Sequence, residues 1–194
     1  MGILDVVLGR RKQKAASSDR LFAIVTGAVT LETEAGLRPG GTAGIVFKAL
    51  ETADFGEVTR DLDELLASAA AETGTKVDRT DDSFGYRWTI LRDADFEDLV
   101  TAVNVVNESL EAAGYSEQLL CAVFPFEDAS RGRMNAERVH WIYNYKRGTF
   151  YPFAPKGEQK RDMEKELRLR SLMARELPLE SEPERWFPLW EVPL

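Results

Sequence analysis

The spacing of apolar residues predicts three helices. Over residues 54–71 apolar side chains recur every three or four positions, which places them on one helix face, and Gly74 follows as a terminator. The stretch 95–110 repeats this pattern, with acidic residues in its first turns and Gly114 as a C-cap. A last helix is predicted over 157–176.

Shorter apolar and β-branched runs, separated by turn residues, predict strands that pair as hairpins. The predicted pairs are 28–34 with 42–50, 76–79 with 86–91, and 119–126 with 138–146. Together with the helices, they give three hairpin-then-helix units. This order predicts an α+β fold with a mainly antiparallel sheet and helices packed on one of its faces.

The chain divides into two parts. Residues 1–18 are predicted to form an amphipathic and basic N-terminal segment followed by a polar linker, and residues 19–194 a single α+β domain. The domain is predicted to begin with a short helix or turn near 19–25. Its end, residues 185–194, is apolar and interrupted by proline, which favours an extended C-terminal strap over a helix.

Composition narrows the class of protein. A hydrophobic share of 44% and a charged share of 30% are typical of a folded domain, and no apolar run reaches the roughly 20 residues of a membrane-spanning helix. A lone cysteine, Cys121, and a start unlike a secretory signal predict a cytoplasmic protein. The net charge of −8 argues against nucleic-acid binding.

The N-terminal segment has the pattern of an interfacial anchor, an apolar helix face followed by basic residues. The candidate membrane-contact residues are Ile3, Leu4, Val7, Leu8, Arg10, Arg11, Lys12 and Lys14. Each basic residue contributes about 1 kcal/mol at an anionic surface, so the pattern predicts weak, reversible attachment. There are two alternatives: this helix docks onto the domain or onto a partner, or the segment is disordered.

The residues offer little catalytic chemistry. His140 is the only histidine, and it could form a catalytic couple with Cys121 on a neighbouring strand. The interpretation of both as structural residues is favoured over this one. The glycine-rich stretch 36–44 lacks the lysine of a phosphate-binding loop and is predicted to be a turn. Acidic residues fall on solvated helix faces. We therefore predict no catalytic residue, metal site or cofactor.

The stretch 145–155 is unusually aromatic for a loop, with three aromatic residues and two prolines after the basic pair Lys146-Arg147. One interpretation is that its rings cover the open end of the core. The other is that they form a recognition surface. The same two interpretations apply to the C-terminal tail. The candidate partner-binding residues are Lys146, Arg147, Phe150, Tyr151, Phe153, Trp186 and Trp190.

Several segments resemble the PspA-associated protein family PspAB. They are the opening Met-Gly-Ile-Leu-Asp-Val-Val-Leu-Gly-Arg, the segment from Ala28 to Pro39, Gln118-Leu-Leu-Cys-Ala-Val123, Lys146-Arg-Gly-Thr-Phe-Tyr-Pro-Phe-Ala-Pro155 and Arg185-Trp-Phe-Pro-Leu-Trp190. The resemblance spans nearly the whole chain. It implies a cytoplasmic accessory protein of the phage-shock, or envelope-stress, system, linked with the coiled-coil protein PspA and, in some family members, with an HtpX-type membrane metalloprotease. It implies no established enzyme activity.

The leading hypothesis is a non-enzymatic adaptor or regulator that binds a PspA-type protein or a membrane protease through the candidate partner-binding residues, at the inner face of the membrane. A small-molecule-binding or hydrolytic protein with a pocket under the 146–155 loop is the alternative. A chaperone-like module that covers an apolar segment of its client is a third. A deep pocket containing Cys121, His140 and a carboxylate would favour the second hypothesis.

Overall fold

The computed structural model describes residues 3–128, 138–190 and 192–194, with side chains from residue 19 onward except those of 69, 70 and 72. Within these residues lie four α-helices and seven β-strands. The helices are α1 (Ile3–Ala35), α2 (Ala53–Thr73), α3 (Phe96–Ala112) and α4 (Met163–Leu172). The strands are β1 (Leu37–Pro39), β2 (Thr42–Lys48), β3 (Lys76–Asp81), β4 (Tyr86–Arg92), β5 (Leu119–Asp128), β6 (Arg138–Asn144) and β7 (Thr149–Phe153).

The strands form one antiparallel sheet in the order β3-β4-β2-β5-β6-β7, with β1 pairing to the far end of β5. Hairpins join β3 to β4, β5 to β6 and β6 to β7. The strand β2 instead lies between β4 and β5, which both follow it in the chain. The predicted α+β class with an antiparallel sheet is confirmed.

One face of the sheet, here called the helix face, carries the larger core. On β2 the side chains of Ala43, Ile45 and Phe47 point to this face, because alternate residues of a strand face opposite sides. Residues from all four helices join the same cluster, among them Leu31, Phe55, Val103 and Leu169. The helices therefore pack on a single face, as predicted.

Local signals explain where the predicted helices begin and end. The Asp95 carboxylate accepts a hydrogen bond from the Glu97 amide at 2.8 Å, which caps α3. Gly74 follows α2 with a positive φ of 84°, a conformation that glycine adopts without a steric penalty. The spacing rules located α2 and α3 to within a few residues.

The predicted strand over 28–34 is wrong. These residues belong to α1, which also includes 13–18, predicted as a linker. The β-branched residues favoured a strand, but Leu21, Ile24 and Leu31 have helical spacing and pack into the core, and this packing overrides local propensity. The hydroxyl of Thr33 bonds to the Val29 carbonyl at 2.9 Å within the helix. The predicted first hairpin accordingly does not form.

Two differences concern the C-terminal third. The last helix is shorter than the predicted 157–176 and begins after Asp162, whose carboxylate caps it by accepting from the Lys165 amide at 3.1 Å. The aromatic stretch expected to be a loop contains the strand β7. The strand follows from pairing with β6, which takes the chain through residues 149–153 in extended form, and an isolated bridge between Pro155 and Arg161 delays the start of the helix.

The predicted membrane-contact residues lie in the first turns of α1, where side chains fall outside the described part, so their contact with lipid stays a prediction. Over the described residues, no helix combines the length and the apolar character needed to cross a membrane.

Candidate functional site

The opposite face of the sheet, here called the strap face, is covered by the C-terminal strap, which is defined by its described residues 186–190 and 192–194. Its cluster contains side chains from five strands together with Trp186, and Leu189, Trp190, Val192 and Leu194 of the strap pack against it. The strand residues are Val46, Trp88, Ile90, Val123, Ile142, Tyr151 and Phe153. The structure thus has an apolar cluster on each side of one sheet.

Trp186 anchors the start of the strap. The ring is almost fully buried, lies parallel to Tyr151 at 6.5 Å between centroids, and donates from Nε1 to the Glu180 carbonyl at 3.3 Å. Arg161 donates to the Trp186 carbonyl at 2.7 Å, and Arg170 stacks over the ring at 6.0 Å. These contacts fix the strap against β7 and α4.

Side-chain packing and a hydrogen bond hold the far end of the strap on the sheet. Trp190 meets Phe153 edge-on at 5.1 Å, and Arg138 donates to the Leu194 carbonyl at 2.8 Å. A Cβ atom at Gly44 would lie only 3.1 Å from the Leu194 side chain. Glycine at this position of β2 therefore leaves the space that Leu194 fills.

Between these anchors the strap leaves a groove of about 550 Å³ above the sheet. It lies at the end of the sheet formed by the β3–β4 turn, the start of β5 and the β6–β7 turn. We call this site the groove. Its lining residues are Val46, Asp82, Phe84, Tyr86, Trp88, Leu120, Cys121, Asn144, Lys146, Tyr151, Gln159, Phe187, Pro188, Leu189 and Trp190.

A β-bulge shapes the floor of the groove. The pairing between β2 and β5 shifts register between Val46 and Phe47, so that Val46 lies opposite Cys121 and Phe47 opposite Leu119. Leu120 is the extra residue, and a bulge of this kind disrupts the alternation of side chains. As a result Leu120 and Cys121, adjacent in sequence, both line the groove.

One charged group at the groove is half-buried and hydrogen-bonded within the protein. The carboxylate of Asp82 accepts hydrogen bonds from the amides of Phe84 and Tyr86, both at 2.9 Å, and from Trp88 Nε1 at 3.1 Å. These three bonds close the β3–β4 turn and orient the indole. Asp82 thus has a structural role that accounts for most of its acceptor capacity.

The other charge, Lys146, is much less constrained. Its side chain is 60% exposed and its Nζ lies 3.8 Å from Glu117, which is itself 85% exposed. Such a surface pair contributes little free energy. The groove therefore has an available cation at the β6–β7 turn and a hydrogen-bonded anion on its opposite side.

The thiol of Cys121 and the phenol of Tyr151 are neutral near pH 7. Burial raises the pKa of the Cys121 thiol to about 12, and also raises the pKa of Tyr151. The Tyr151 hydroxyl donates to the Phe187 carbonyl at 3.1 Å. Cys121 thus acts as an apolar part of the floor and not as an activated nucleophile.

His140 lies away from the groove. It pairs with Pro125 on β5, four residues along the strand from the Asn144 that pairs with Cys121, and its ring stacks on Phe153 at 6.1 Å. Burial, with a smaller contribution from Arg138, lowers its pKa to about 4. The structure brings no imidazole to Cys121, and the described residues contain no cluster of three metal-ligating side chains.

The predicted partner-binding residues divide between two environments. Lys146, Tyr151 and Trp190 come together in the groove. Phe150, Phe153 and Trp186 are buried, which matches the interpretation that the aromatic rings cover the core. Arg147 pairs with the buried Glu180 at 3.2 Å.

Sequence reasoning missed Phe84 and Phe187, the two most exposed aromatic side chains at the groove, at 77% and 62%. It also missed Trp88 and Leu120. The alternation of Tyr86, Trp88 and Ile90 along β4 was a usable signal, since it places three apolar side chains on the face opposite Leu91. Nothing in the sequence indicated that this face would be covered by the strap.

Comparison with known families identifies the chain. Its sequence matches the family PspAB, described as PspA associated protein B, over residues 1–194. The chain belongs to this family. No curated protein gives a significant match, and no solved structure does. The expected resemblance is confirmed, and the two-faced sheet and its groove are features of a PspAB protein.

Proposed function

We propose that this PspAB protein is a non-enzymatic adaptor or regulator of the phage-shock response that binds a PspA-type protein at the groove. The family description names an association with PspA. The observation that carries the proposal is the exposure of Phe84 and Phe187 beside an apolar groove. Exposed aromatic side chains at a concave apolar site are the usual anchors of protein interfaces.

Three of the residues predicted from the sequence contribute to this surface. Lys146 supplies a charge at the rim, where it steers association more than it adds affinity. Tyr151 holds the strap through its bond to Phe187, and Trp190 forms part of the wall. Phe153 is buried on the same face and supports the Trp190 ring, whereas Phe150 is buried on the helix face.

The test is direct binding between the purified chain and PspA from the same organism, measured by surface plasmon resonance. Phe84→Ser and Phe187→Ser should each weaken binding about tenfold or more, the effect of losing an aromatic anchor. Val29→Ser is the matched control, because Val29 is equally exposed, at 64%, but lies on α1. It should bind as the intact protein does.

Two results would contradict the proposal. One is that the intact chain fails to bind PspA, and the other is that the groove variants and the Val29 variant bind equally well. Two parallel binding measurements extend the test. One replaces PspA with an HtpX-type membrane metalloprotease and shows whether the chain binds that partner. The other uses a chain lacking residues 1–14 and shows whether the N-terminal segment contributes to binding. Binding to many unfolded clients but not to PspA would support the chaperone-like alternative.

A further inference from the structure

The groove has the dimensions and the lining of a small-ligand site. Its volume of about 550 Å³ lies within the range typical of such sites, which are mostly apolar with a few polar groups that fix orientation. Val46, Leu120 and Cys121 form its floor, and aromatic rings form its walls. The strap is anchored on both sides of the groove, so the space persists in the folded protein.

Three of the polar side chains along the groove already have partners within the protein. Trp88 donates to Asp82, Tyr151 donates to Phe187, and the Asn144 side-chain oxygen accepts from the Arg147 amide at 3.3 Å. The floor itself is formed by Val46, Leu120 and Cys121, so a ligand lying along it would meet few free donors or acceptors there. Its body must therefore be apolar, since a buried polar group without a partner is costly.

The two charges of the groove differ in how they are compensated. Asp82 already receives three hydrogen bonds, whereas within the described part of the chain Lys146 has only a long contact to an exposed glutamate. An anionic group is therefore favoured beside Lys146 and disfavoured on the side of Asp82. This asymmetry selects a molecule with one anionic end and an apolar remainder.

The sheet sets the length of that remainder. Asp82 follows β3 and leads into β4, while Lys146 follows β6, and the strands β2 and β5 lie between them. Three strand spacings separate β4 from β6, a distance of about 14 Å across the sheet. The groove therefore accommodates an extended chain that runs across the strands.

We propose that the groove binds a single-chain aliphatic carboxylate, with its carboxylate beside Lys146 and its chain on the floor formed by Val46, Leu120 and Cys121. This ligand would occupy the groove proposed above for partner binding, but its binding needs no partner protein. Bound ligand would lie directly beneath Phe187, so its presence would also alter the surface offered to a partner.

The test uses the purified full chain with octanoate, decanoate and dodecanoate, each below its micelle concentration, followed by isothermal titration calorimetry. Affinity should rise about fourfold for each added methylene until the chain fills the groove. Decanol and decyltrimethylammonium, which have the same chain and a neutral or cationic head, should bind about tenfold more weakly than decanoate. A stronger response to decyltrimethylammonium would overturn the proposal by assigning the head group to Asp82 and its aromatic neighbours.

Two variants locate the head group. Lys146→Gln should weaken decanoate binding about tenfold and leave decanol binding unchanged, because only the charged end loses its partner. Lys76→Gln is the control, since Lys76 is an exposed lysine at the opposite end of β3. Equal binding of decanoate by both variants would contradict the placement beside Lys146.

Cys121 provides an independent readout of the floor. As the only cysteine of the chain, it can be followed by its rate of reaction with a methanethiosulfonate reagent at mildly alkaline pH, which raises the small thiolate fraction of a thiol with a raised pKa. Saturating decanoate should slow that reaction at least fivefold, whereas acetate at the same concentration should not change it. An unchanged rate would mean that the chain does not occupy the groove. Failure of PspA binding would leave all of these outcomes unaffected, so the two proposals can fail separately.

Discussion

The two faces of the sheet are made by the same strands but are closed in different ways. On the helix face, side chains such as Phe124 and Phe150 are completely buried beneath helices. On the strap face a single extended segment covers the apolar cluster and leaves the groove beside it. A helix covers a broad strip of sheet, whereas an extended strap covers only a narrow one. This fold therefore gains its stability mainly from the helix face and keeps space for binding on the strap face.

The strand β7 shows this contrast over two adjacent residues. Phe150 points to the helix face and contacts Phe124 and Tyr143, while Tyr151 points to the strap face and contacts Trp186. Both residues were predicted from the sequence to bind a partner. Their different environments allow the two faces to be tested separately.

The largest expected effect is that of Phe150→Ala. Removing a fully buried ring leaves a cavity on the helix face, so the free energy of unfolding should fall by about 4 kcal/mol. Phe187→Ala is the matched control on the strap face, where the ring is 62% exposed and little change is expected. Urea denaturation followed by circular dichroism measures both. If the two variants have the same free energy of unfolding, the prediction that the two faces differ in their contribution to stability is wrong.

A smaller effect is expected from Arg161→Ala, which acts where the two faces meet. Arg161 forms three short hydrogen bonds to the fully buried Glu166 carboxylate, the shortest at 2.6 Å, and also binds the strap. Its removal leaves Glu166 with the Ala154 amide alone, which should cost about 3 kcal/mol of unfolding free energy.

The control for Arg161→Ala is Lys160→Ala, since Lys160 pairs only with an exposed glutamate. The two variants should differ clearly in the midpoint of urea unfolding. In addition, Arg161→Ala should increase hydrogen exchange at the start of the strap. A loss of stability without faster exchange there would mean that the ion pair does not connect the strap to α4.

The smallest of the three effects concerns His140, on the strap face. Its folded pKa of about 4 lies below the unfolded value near 6.5, so the unfolded state binds the proton first as the pH falls. The contribution to stability is therefore unchanged above pH 6.5 and is lost progressively between pH 6.5 and pH 4. At pH 5 the loss should be about 2 kcal/mol.

His140→Gln should remove this part of the pH dependence. The difference in unfolding free energy between pH 7 and pH 5 should become about 2 kcal/mol smaller in the variant than in the intact chain, measured by urea denaturation at each pH. The Asp93 and Asp162 carboxyls, whose pKa values are lowered by hydrogen bonds, affect both proteins equally and at lower pH. Identical pH dependence in the two proteins would show that His140 is accessible to protons in the folded state.

Much of the fold was predictable because its signals are local. The helices α2 and α3 have apolar residues at helical spacing, and the β3–β4 and β5–β6 hairpins join neighbouring stretches of chain. The end of α1 was not predictable in this way, since its β-branched residues favour strand and only packing against the sheet makes them helical. The strand β7 was missed because prolines and aromatic residues obscured its alternation.

The candidate site was predictable only in part, because it combines distant segments. Lys146, Tyr151 and Trp190 stood out from composition alone and do line the groove. Phe84, Leu120 and Phe187 did not, since none is unusual within its own segment. Leu120 enters the groove through a shift in strand register, which no single segment of sequence specifies.

By itself, the sequence determined the α+β class, the two central helices, most of the strands and membership of the PspAB family. Those properties depend on periodicity and on residues close together in the chain. Only the tertiary structure decided which aromatic residues are buried, where the strap lies and that a groove remains beside it. These depend on contacts between residues as far apart as Gly44 and Leu194, and the free energy of such contacts exists only once the chain has folded.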